Sequence, residues 1–268
     1  MAIIDTDKMR IFDLEFPRTA GMPEFPTHKP AYAYTLFHRH GDKLGSGGIR
    51  SSAFGQLHGT EHAGTHIDAL SHQAECLSLH GGVSVTPEIE TPTGFGAHGA
   101  ERLPPIFADG VLLDVAASKG VRSLQPRYAV TENDLLECCD RQKVTIEKKS
   151  VVLVNLGNCH YWNDEARYLD APGMERSATE WLIQKEVLAV GADNICWDLA
   201  DGWDSKLNCN LPGHLLLLVR SGIFIMENLN LIELAASGHS RFVFVALPLK
   251  LVGATGSPIR PLALVGGL

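Results

Sequence analysis

From about residue 110 onward, short apolar segments alternate with segments of helical period, and this alternation constrains the fold more than any other feature. The stretches 111–115, 150–156 and 223–226 are predominantly apolar and have the length of strands. Between the first two, Thr131 is a candidate helix N-cap, with Asp134 three residues on in a variant of the capping box. Strands that alternate with helices predict an α/β protein with a mixed sheet.

The remaining elements are predicted from the same two periods. A second helix is expected over 177–190, because its apolar residues have helical spacing and Gly191 suits the position after a helix end. The first 50 residues, rich in Pro, Gly and His, predict extended segments and loops. No repeat or linker divides the 268 residues, so we expect one domain over 1–268. Shorter elements are predicted as strands over 194–198 and 241–247, a helical turn over 214–219 and a helix over 231–236.

Composition excludes several classes of function. A formal net charge of −8 and the lack of any Lys and Arg cluster argue against nucleic acid as a partner. The first residues are acidic where a secretion signal would be basic, and no apolar run reaches the ~18 residues of a membrane span. The six cysteines are scattered, which is typical of reduced thiols. We therefore expect a cytoplasmic protein with no nucleic-acid or membrane partner.

The residues with the most chemistry lie in one segment, 58–72, which reads HGTEHAGTHIDALSH. It holds His58, His62, His66 and His72, together with Asp68. Neutral imidazoles and a carboxylate are common ligands for zinc or manganese. His58 could either support a metal ligand or be an ordinary loop residue. Chance clustering on a wet surface is the simpler alternative, but it does not explain two histidines and an aspartate in phase around a glycine.

The spacing within this segment distinguishes between helix and strand. On a helix, Asp68 would point ~200° away from His66. On a strand, His62, His66 and Asp68 share one face, although a straight strand would place the two histidine Cα atoms ~13 Å apart. Gly64 lets the chain bend between them. A kinked strand or loop can therefore gather all three side chains around one metal ion.

These residues resemble a known signature. His62-Ala63-Gly64-Thr65-His66-Ile67-Asp68 followed by His72 is similar to the His-x-Gly-Thr-His-x-Asp-x-Pro-x-His motif of the cyclase family, which includes bacterial kynurenine formamidases, isatin hydrolases and some cyclic-imide hydrolases. The C-terminal part, with 212–214, 227–229 and the run ALPLKLVGATGSPIRPLAL, also resembles the family. Leu70 stands where the motif has proline, and we interpret it as a variant of the motif.

The resemblance implies roles for particular residues. His62, His66 and Asp68 match the ligands of a first metal, and Asp68 would bridge to a second ion held by His214 and Glu227. The ions would be Mn²⁺ or Zn²⁺, one or two per chain, and His72 would be the general base. The family implies a swivelling β/β/α fold and a homodimer or homotetramer whose site borrows residues from a neighbouring subunit.

Two of these positions are also notable without the resemblance. His214 opens the apolar run LLLLV, and Glu227 ends the apolar strand IFIM. A carboxylate there is expected to be buried, and a buried charge without a partner is very costly. A metal ion would supply the partner, whereas a salt bridge or a helix N-cap interaction at 228–231 would be the structural alternative.

Together these residues predict a metal-dependent hydrolase, and the resemblance implies that it cleaves a C–N bond of a cyclic amide, cyclic imide or aryl formamide. Three protein ligands leave coordination positions open, which is typical of catalytic rather than structural sites. A hydrolase of a lactone or ester, and a non-catalytic metal-binding protein, remain the alternatives. The adjacent Cys159 and His160 do not by themselves make a nucleophile and base. The segment 253–258, GATGSP, lacks the lysine of a phosphate-binding loop and is expected to be a turn near the site.

Overall fold

The largest sheet in the computed structural model, which describes residues 8–42 and 49–266, contains nine strands and mixes parallel with antiparallel pairing. Shorter two-stranded sheets surround it. In chain order the strands are β1 (Arg10–Asp13), β2 (Ala33–His38), β3 (Phe54–His58), β4 (His66–Asp68), β5 (Ser78–Leu79), β6 (Val83–Ser84), β7 (Glu90–Thr91), β8 (Gly94–Phe95), β9 (Ile106–Asp114), β10 (Ala129–Val130), β11 (Val151–Asn155), β12 (Gly173–Met174), β13 (Ala189–Ala192), β14 (Trp203–Asp204), β15 (Cys209–Asn210), β16 (Phe224–Glu227), β17 (Arg241–Ala246), β18 (Gly256–Pro258) and β19 (Leu262–Val265).

The helices are short and most lie between strands of the large sheet. The α-helices are α1 (Val115–Ser118), α2 (Glu132–Gln142), α3 (Glu165–Leu169), α4 (Arg176–Gln184), α5 (Pro212–His214) and α6 (Ile232–Ala236). A π-helix over Leu215–Ser221 continues α5. In the part of the chain that the structure describes, 3₁₀ turns cover His80–Gly82, Ala100–Arg102 and Asn158–Tyr161. The longest α-helix has 11 residues, and among the described residues no helix has the length and hydropathy that a membrane crossing requires.

The order of strands in the large sheet is β1-β19-β17-β9-β11-β13-β16-β4-β18. The four strands from β9 to β16 are parallel, and antiparallel strands flank them on both sides. Successive residues of β11 alternate between two apolar cores: Val152 and Val154 face one, Val151 and Leu153 the other. Because both faces of the sheet are covered, the central strands are apolar throughout. The prediction of an α/β protein with a mixed sheet is confirmed.

Local sequence signals placed several elements correctly. Thr131 caps α2 by accepting a hydrogen bond from the Asp134 amide, and the Asp134 side chain bonds back to the Thr131 amide. This reciprocal pair satisfies two amides that the helix leaves free at its N-terminus, which is why the chain turns into a helix there. The strands predicted over 150–156, 223–226 and 241–247 and the helical turn over 214–219 also form, with ends shifted by one or two residues.

One predicted helix extends too far, and one predicted strand is wrong. The helix expected over 177–190 ends at Gln184, and Ala189–Ala192 is instead strand β13, paired with β11 and β16. Gly191 does not end a helix: a Cβ at this position would lie 2.7 Å from Leu229 Cδ1. The strand expected over 194–198 is an irregular segment, in which the Asn194 side chain donates hydrogen bonds to the Pro172 and Trp197 carbonyl oxygens.

The antiparallel pair β2–β3 stands out from the remainder by its exposure. Every residue of β3 is exposed, including Phe54 at 63% and Leu57 at 70%. On β2, Tyr34, Leu36 and Phe37 are exposed as well. Exposed apolar surfaces of this kind are typical of oligomer interfaces. We therefore propose that the β2–β3 pair forms the interface of the expected homo-oligomer.

Candidate metal centre

Three neighbouring strands position the residues of the 58–72 segment. Strand β4 lies between β16 and β18, so His66 is directly opposite Glu227 on one side. On the other side Asp68 is opposite Gly256. A Cβ at Gly256 would lie 2.8 Å from the His62 ring, so the glycine leaves the space that this imidazole occupies. Residues far apart in sequence thereby converge on one end of β4.

The bend between His62 and His66 forms at Gly64, as predicted. Gly64 has φ +67°, a backbone conformation that residues with a Cβ rarely adopt. The Arg18 guanidinium donates hydrogen bonds to the Ala63 and Thr65 carbonyl oxygens on either side of the bend. The Asn228 side chain donates to the Gly64 carbonyl oxygen over 3.0 Å. Each carbonyl of the bend is therefore fixed by a donor from another part of the chain.

His214 is brought in by α5 and is oriented by a buried carboxylate. Asp198 Oδ2 accepts a hydrogen bond from His214 Nδ1 over 2.8 Å, and the amides of Gly213 and His214 also donate to Asp198. Because Nδ1 is engaged, His214 presents Nε2 to the cluster, 3.2 Å from Glu227 Oε1 and 3.7 Å from Asp68 Oδ2. Burial alone would lower the pKa of His214, but Asp198 and Glu227 raise it well above its ordinary value.

His62 and His66 each have one ring nitrogen engaged in the same way. His66 Nδ1 donates to the Gly64 carbonyl oxygen over 2.8 Å, so its Nε2 faces the cluster. His62 Nε2 lies 2.9 Å from Thr255 Oγ1, which itself donates to Glu61 Oε1. Since the threonine proton points to Glu61, the hydroxyl accepts from His62 Nε2 and leaves Nδ1 with its lone pair. Hydrogen bonds of this kind fix the tautomer and orientation of metal-binding imidazoles.

The atoms that face inward lie close together without bonding to one another. His62 Nδ1 is 3.0 Å from Asp68 Oδ1, and His66 Nε2 is 3.4 Å from both Asp68 Oδ1 and Glu227 Oε2. Yet His62 Nδ1, His66 Nε2 and both oxygens of Asp68 are buried and have no hydrogen-bond partner. The contacts are short in distance but lack hydrogen-bond geometry. Buried polar atoms without partners are rare, and donors that converge on a point fit a cation.

The charges of the cluster also favour a cation. Burial would raise the pKa of Asp68, but the His72, His62 and His66 rings hold it well below its ordinary value. Burial would lower the pKa of His66, but Asp68 and Glu227 outweigh burial and raise it to about 10. The two carboxylates therefore draw positive charge into a buried space. A divalent ion would balance the negative charge of these carboxylates, and it would compete with the proton that otherwise binds His66.

Two groups of three donors have their ligand atoms within 4.8 Å of one another: His62, Asp68 and His72 form one, and His66, Asp68 and Glu227 form the other. Asp68 belongs to both. The structure thus brings together all five predicted ligands and His72. It divides them differently from the resemblance, because His66 sits with Glu227, while His72 completes the group of His62. The chemistry of these donors fits one or two ions such as Zn²⁺ or Mn²⁺.

His72 reaches the cluster despite the departure at Leu70. The His72 amide donates to the Ala69 carbonyl oxygen over 3.0 Å, which closes a turn that directs the side chain back towards β4. The His72 ring centroid is 4.3 Å from that of His62 and 6.0 Å from that of His214. Leu70 packs against the apolar core. Desolvation by burial lowers the pKa of His72.

The donor cluster does not include the other candidates from the sequence, namely His58, Cys159, His160 and the segment 253–258. His58 is exposed at the end of β3 and lines a cavity of about 400 Å³ together with Arg18 and Glu61, although none of the cluster's own side chains lines that cavity. Cys159 is buried, which raises the pKa of its thiol well above the ordinary value, and His160 contacts Arg122. The segment 253–258 forms a turn followed by β18 near the site, as predicted.

Sequence reasoning missed the residues that hold the ligands in place, namely Arg18, Glu61, Asp198 and Thr255. Asp198 lies in the acidic stretch 198–204, where its sequence neighbours give no sign that it differs from Asp201 or Asp204. Its complete burial is the distinguishing property, and burial follows from the fold. The only sequence signal was the prediction that the turn containing Thr255 packs near the site.

Replacing Thr255 with valine is expected to weaken metal binding by ~10- to 100-fold, the usual effect of removing a hydrogen-bond partner of a metal-binding histidine. Valine keeps the branched shape but removes the hydroxyl between Glu61 and His62. Metal affinity would be measured by competition with a chelator of known affinity. Thr255→Ser, which keeps the hydroxyl, is the matched control and should bind like the unmodified chain. Equal affinity for the valine and serine variants would contradict this role.

Comparison with known proteins agrees with the geometry. The family model described as "Putative cyclase" matches residues 12–199. An isatin hydrolase from Roseibium aggregatum is 28% identical over 213 residues, which cover 76% of this chain and 72% of that protein.

Solved structures show the same fold. A crystal structure described as a novel cyclase superposes with a TM-score of 0.85 and 27% identity, covering 97% of this chain and 87% of that one. Isatin hydrolase A from Ralstonia solanacearum has a TM-score of 0.74 and 22% identity, covering 96% of this chain and 92% of that one. The predicted cyclase-like fold is therefore confirmed.

Proposed function

The chain belongs to the cyclase family, and from this premise we propose that it is a metal-dependent hydrolase. We infer that its substrate is a small molecule with a C–N bond in a cyclic amide, a cyclic imide or an aryl formamide. The isatin hydrolase to which the chain is similar supports this class of bond. The alternatives are a lactone or ester hydrolase that uses the same residues, and a metal-binding protein without catalytic activity.

One observation carries the proposal: buried donor atoms without partners converge on a common space around Asp68. A structural zinc site would surround its ion completely with protein ligands, commonly cysteine thiolates. Here the donors are imidazoles and carboxylates, and His72 at the edge of the cluster is partly exposed. This combination suits a site that a substrate and a water molecule can enter.

His62, His66, Asp68, His214 and Glu227 would hold the metal. When bound, a divalent ion lowers the pKa of a coordinated water to ~7 and polarises a carbonyl group. Other residues of the chain hold these ligands in position. Asp198, Thr255 and the Gly64 carbonyl fix the three imidazoles, and the Trp197 amide donates to Glu227 Oε1 over 3.0 Å. The donors are thus held in place before the reaction begins, which lowers the cost of reorganisation.

His72 is placed to move the proton that hydrolysis requires. Its ring is partly exposed, and it contacts His62 at the edge of the cluster. It can accept a proton from the attacking water as the C–O bond forms, and return it to the leaving nitrogen as the C–N bond breaks. One proton taken up and one released leave the imidazole as it began, so the residue acts as general base and then general acid.

The proposal predicts a metal content of about one to two equivalents of divalent ion per chain, set by the two donor groups that share Asp68. Elemental analysis of protein reconstituted with manganese or zinc would measure it. Chelation should abolish turnover, and returning the ion should restore it. A content below about a tenth of an equivalent after reconstitution would contradict a metal centre.

The same preparation identifies the bond that is cleaved. Turnover of isatin, phthalimide, N-formylkynurenine and a simple lactone would be followed by ultraviolet absorbance with each metal. Hydrolysis of an amide, imide or formamide supports the proposal. Preference for the lactone would favour the ester alternative, and bound metal without turnover of any compound would favour the binding protein.

A further inference from the structure

Two partly exposed imidazoles adjoin the buried donor cluster. His62, His66, Asp68, His214 and Glu227 are each at most 7% exposed. His72 and His28, which belongs to a different part of the chain, are partly exposed. The His28 ring centroid lies 5.0 Å from that of His62 and 6.3 Å from that of His72. A molecule that approached the buried donors past these two rings would contact both of them.

His28 is held there by a loop with its own anchors. The buried Glu24 carboxylate accepts a hydrogen bond from the Tyr32 amide over 2.6 Å and so ties the two ends of residues 24–32 together. Within the loop, the His28 amide donates to the Phe25 carbonyl oxygen over 2.9 Å, and the Phe25 ring packs 5.3 Å from the His28 ring. The position of His28 therefore follows from defined contacts.

The His28 ring has a free hydrogen-bonding edge. In residues 8–42 and 49–266, its recorded ring contacts are with Phe25, His62 and His72, and no group hydrogen-bonds to its ring nitrogens. A neutral imidazole carries one N–H donor in either tautomer. The other imidazoles that carry the site, His62, His66 and His214, each use one nitrogen to bond a supporting group. His28 keeps its donor for a molecule in the entrance.

We propose that His28 is a substrate-binding residue that donates a hydrogen bond to a second carbonyl oxygen of the substrate, the one that is not attacked. This rests on the proposed function, in which the donor cluster handles the carbonyl that is attacked. The chain accordingly favours cyclic substrates with two carbonyl groups, such as imides and ring diones, over analogues with one.

The test compares two ligands that differ by one carbonyl group, isatin and oxindole, on metal-loaded protein. His28→Ala should weaken isatin binding ~10-fold, the effect of one lost hydrogen bond, and leave oxindole binding within about twofold. His28→Gln, which retains an N–H donor, should recover most of the isatin affinity. The affinity for isatin would be measured as KM where it is turned over and by calorimetry where it is not, and metal content and thermal unfolding would be measured on each variant. His160→Ala, which removes another partly exposed imidazole, one that contacts Arg122, is the matched control and should bind both ligands normally.

Each result that differs from this expectation has a single interpretation. Unchanged isatin binding in a folded, metal-loaded His28→Ala variant overturns the proposal, and so does an equal loss for both ligands, which would show that His28 only packs. Loss of metal from that variant would make His28 a ligand and would also overturn it. Turnover is assayed separately: bound isatin with the expected His28 dependence but no hydrolysis would overturn the proposed function and leave the binding role of His28 standing.

Discussion

Replacing Asp68 with asparagine is expected to remove metal binding and turnover together, because Asp68 belongs to both groups of donors. Asparagine has nearly the same shape but no charge, so the buried imidazoles around it would lose the anion that balances a cation. Removing one partner of a buried charged pair costs ~3–5 kcal/mol, which corresponds to a loss of ~10²- to 10⁴-fold in metal affinity. Elemental analysis and a chelator competition would measure the loss, and activity would be assayed on the same samples.

The control for this variant is Asp134→Asn, the same substitution at another buried aspartate. Asp134 contacts Lys119 and takes part in the capping box of α2, away from the cluster. Its variant should unfold at a lower temperature yet keep its metal. Full metal occupancy in Asp68→Asn would contradict the assignment of Asp68 as the shared ligand. Loss of metal in both variants would mean that general destabilisation, rather than the missing charge, empties the site.

The parts of the fold that could be predicted are those that short-range chemistry determines. Thr131 and Asp134 satisfy each other's amides within a few residues, so the start of α2 was visible in the sequence. The apolar strands β11, β16 and β17 are continuous enough to identify without knowing their partners. The bend at Gly64 could be predicted because the in-phase histidines needed one residue that tolerates a positive φ.

The part that could not be predicted depends on tertiary pairing. Residues 189–192 continue the helical period of α4, and only hydrogen bonds to β11 and β16 make them a strand. Gly191 was interpreted as a helix end because glycine is common there, whereas its small size serves packing against Leu229. A glycine can mark either a helix end or a tightly packed strand, and the two cannot be distinguished until the residues packed around it are known.

The candidate site also has a part that could be predicted from the sequence and a part that could not. The donor residues could be predicted because a metal requires particular side chains at a spacing that the chain can bend around. The supporting residues carry no such signal. Thr255 is 193 residues from His62, and Asp198 is 16 residues from His214. Any hydroxyl or carboxylate could fill either role, so their identity becomes visible only when the sheet brings them into contact.

Replacing His72 with alanine is expected to lower the rate by ~10²- to 10⁴-fold, the scale of a positioned general base, while metal content stays near normal. The reason is the place of His72 at the edge of the cluster. It is partly exposed, whereas the predicted ligands are buried. His62→Ala, which removes a buried donor of the same type 4.3 Å away between ring centroids, is the matched comparison and should empty the site.

The geometry makes this a demanding test, because His72 also lies within reach of His62 and Asp68 as a third donor. If His72→Ala loses its metal along with its activity, His72 is a ligand and the base must be another group. If it keeps both its metal and its full rate, the base again lies elsewhere. Misdirection by Leu70 would not explain that result, since Leu70 packs into the core and the turn over 69–72 holds the ring against His62. Only retention of metal with a large loss in rate separates proton transfer from coordination, and that is the outcome expected of a base beside a metal centre.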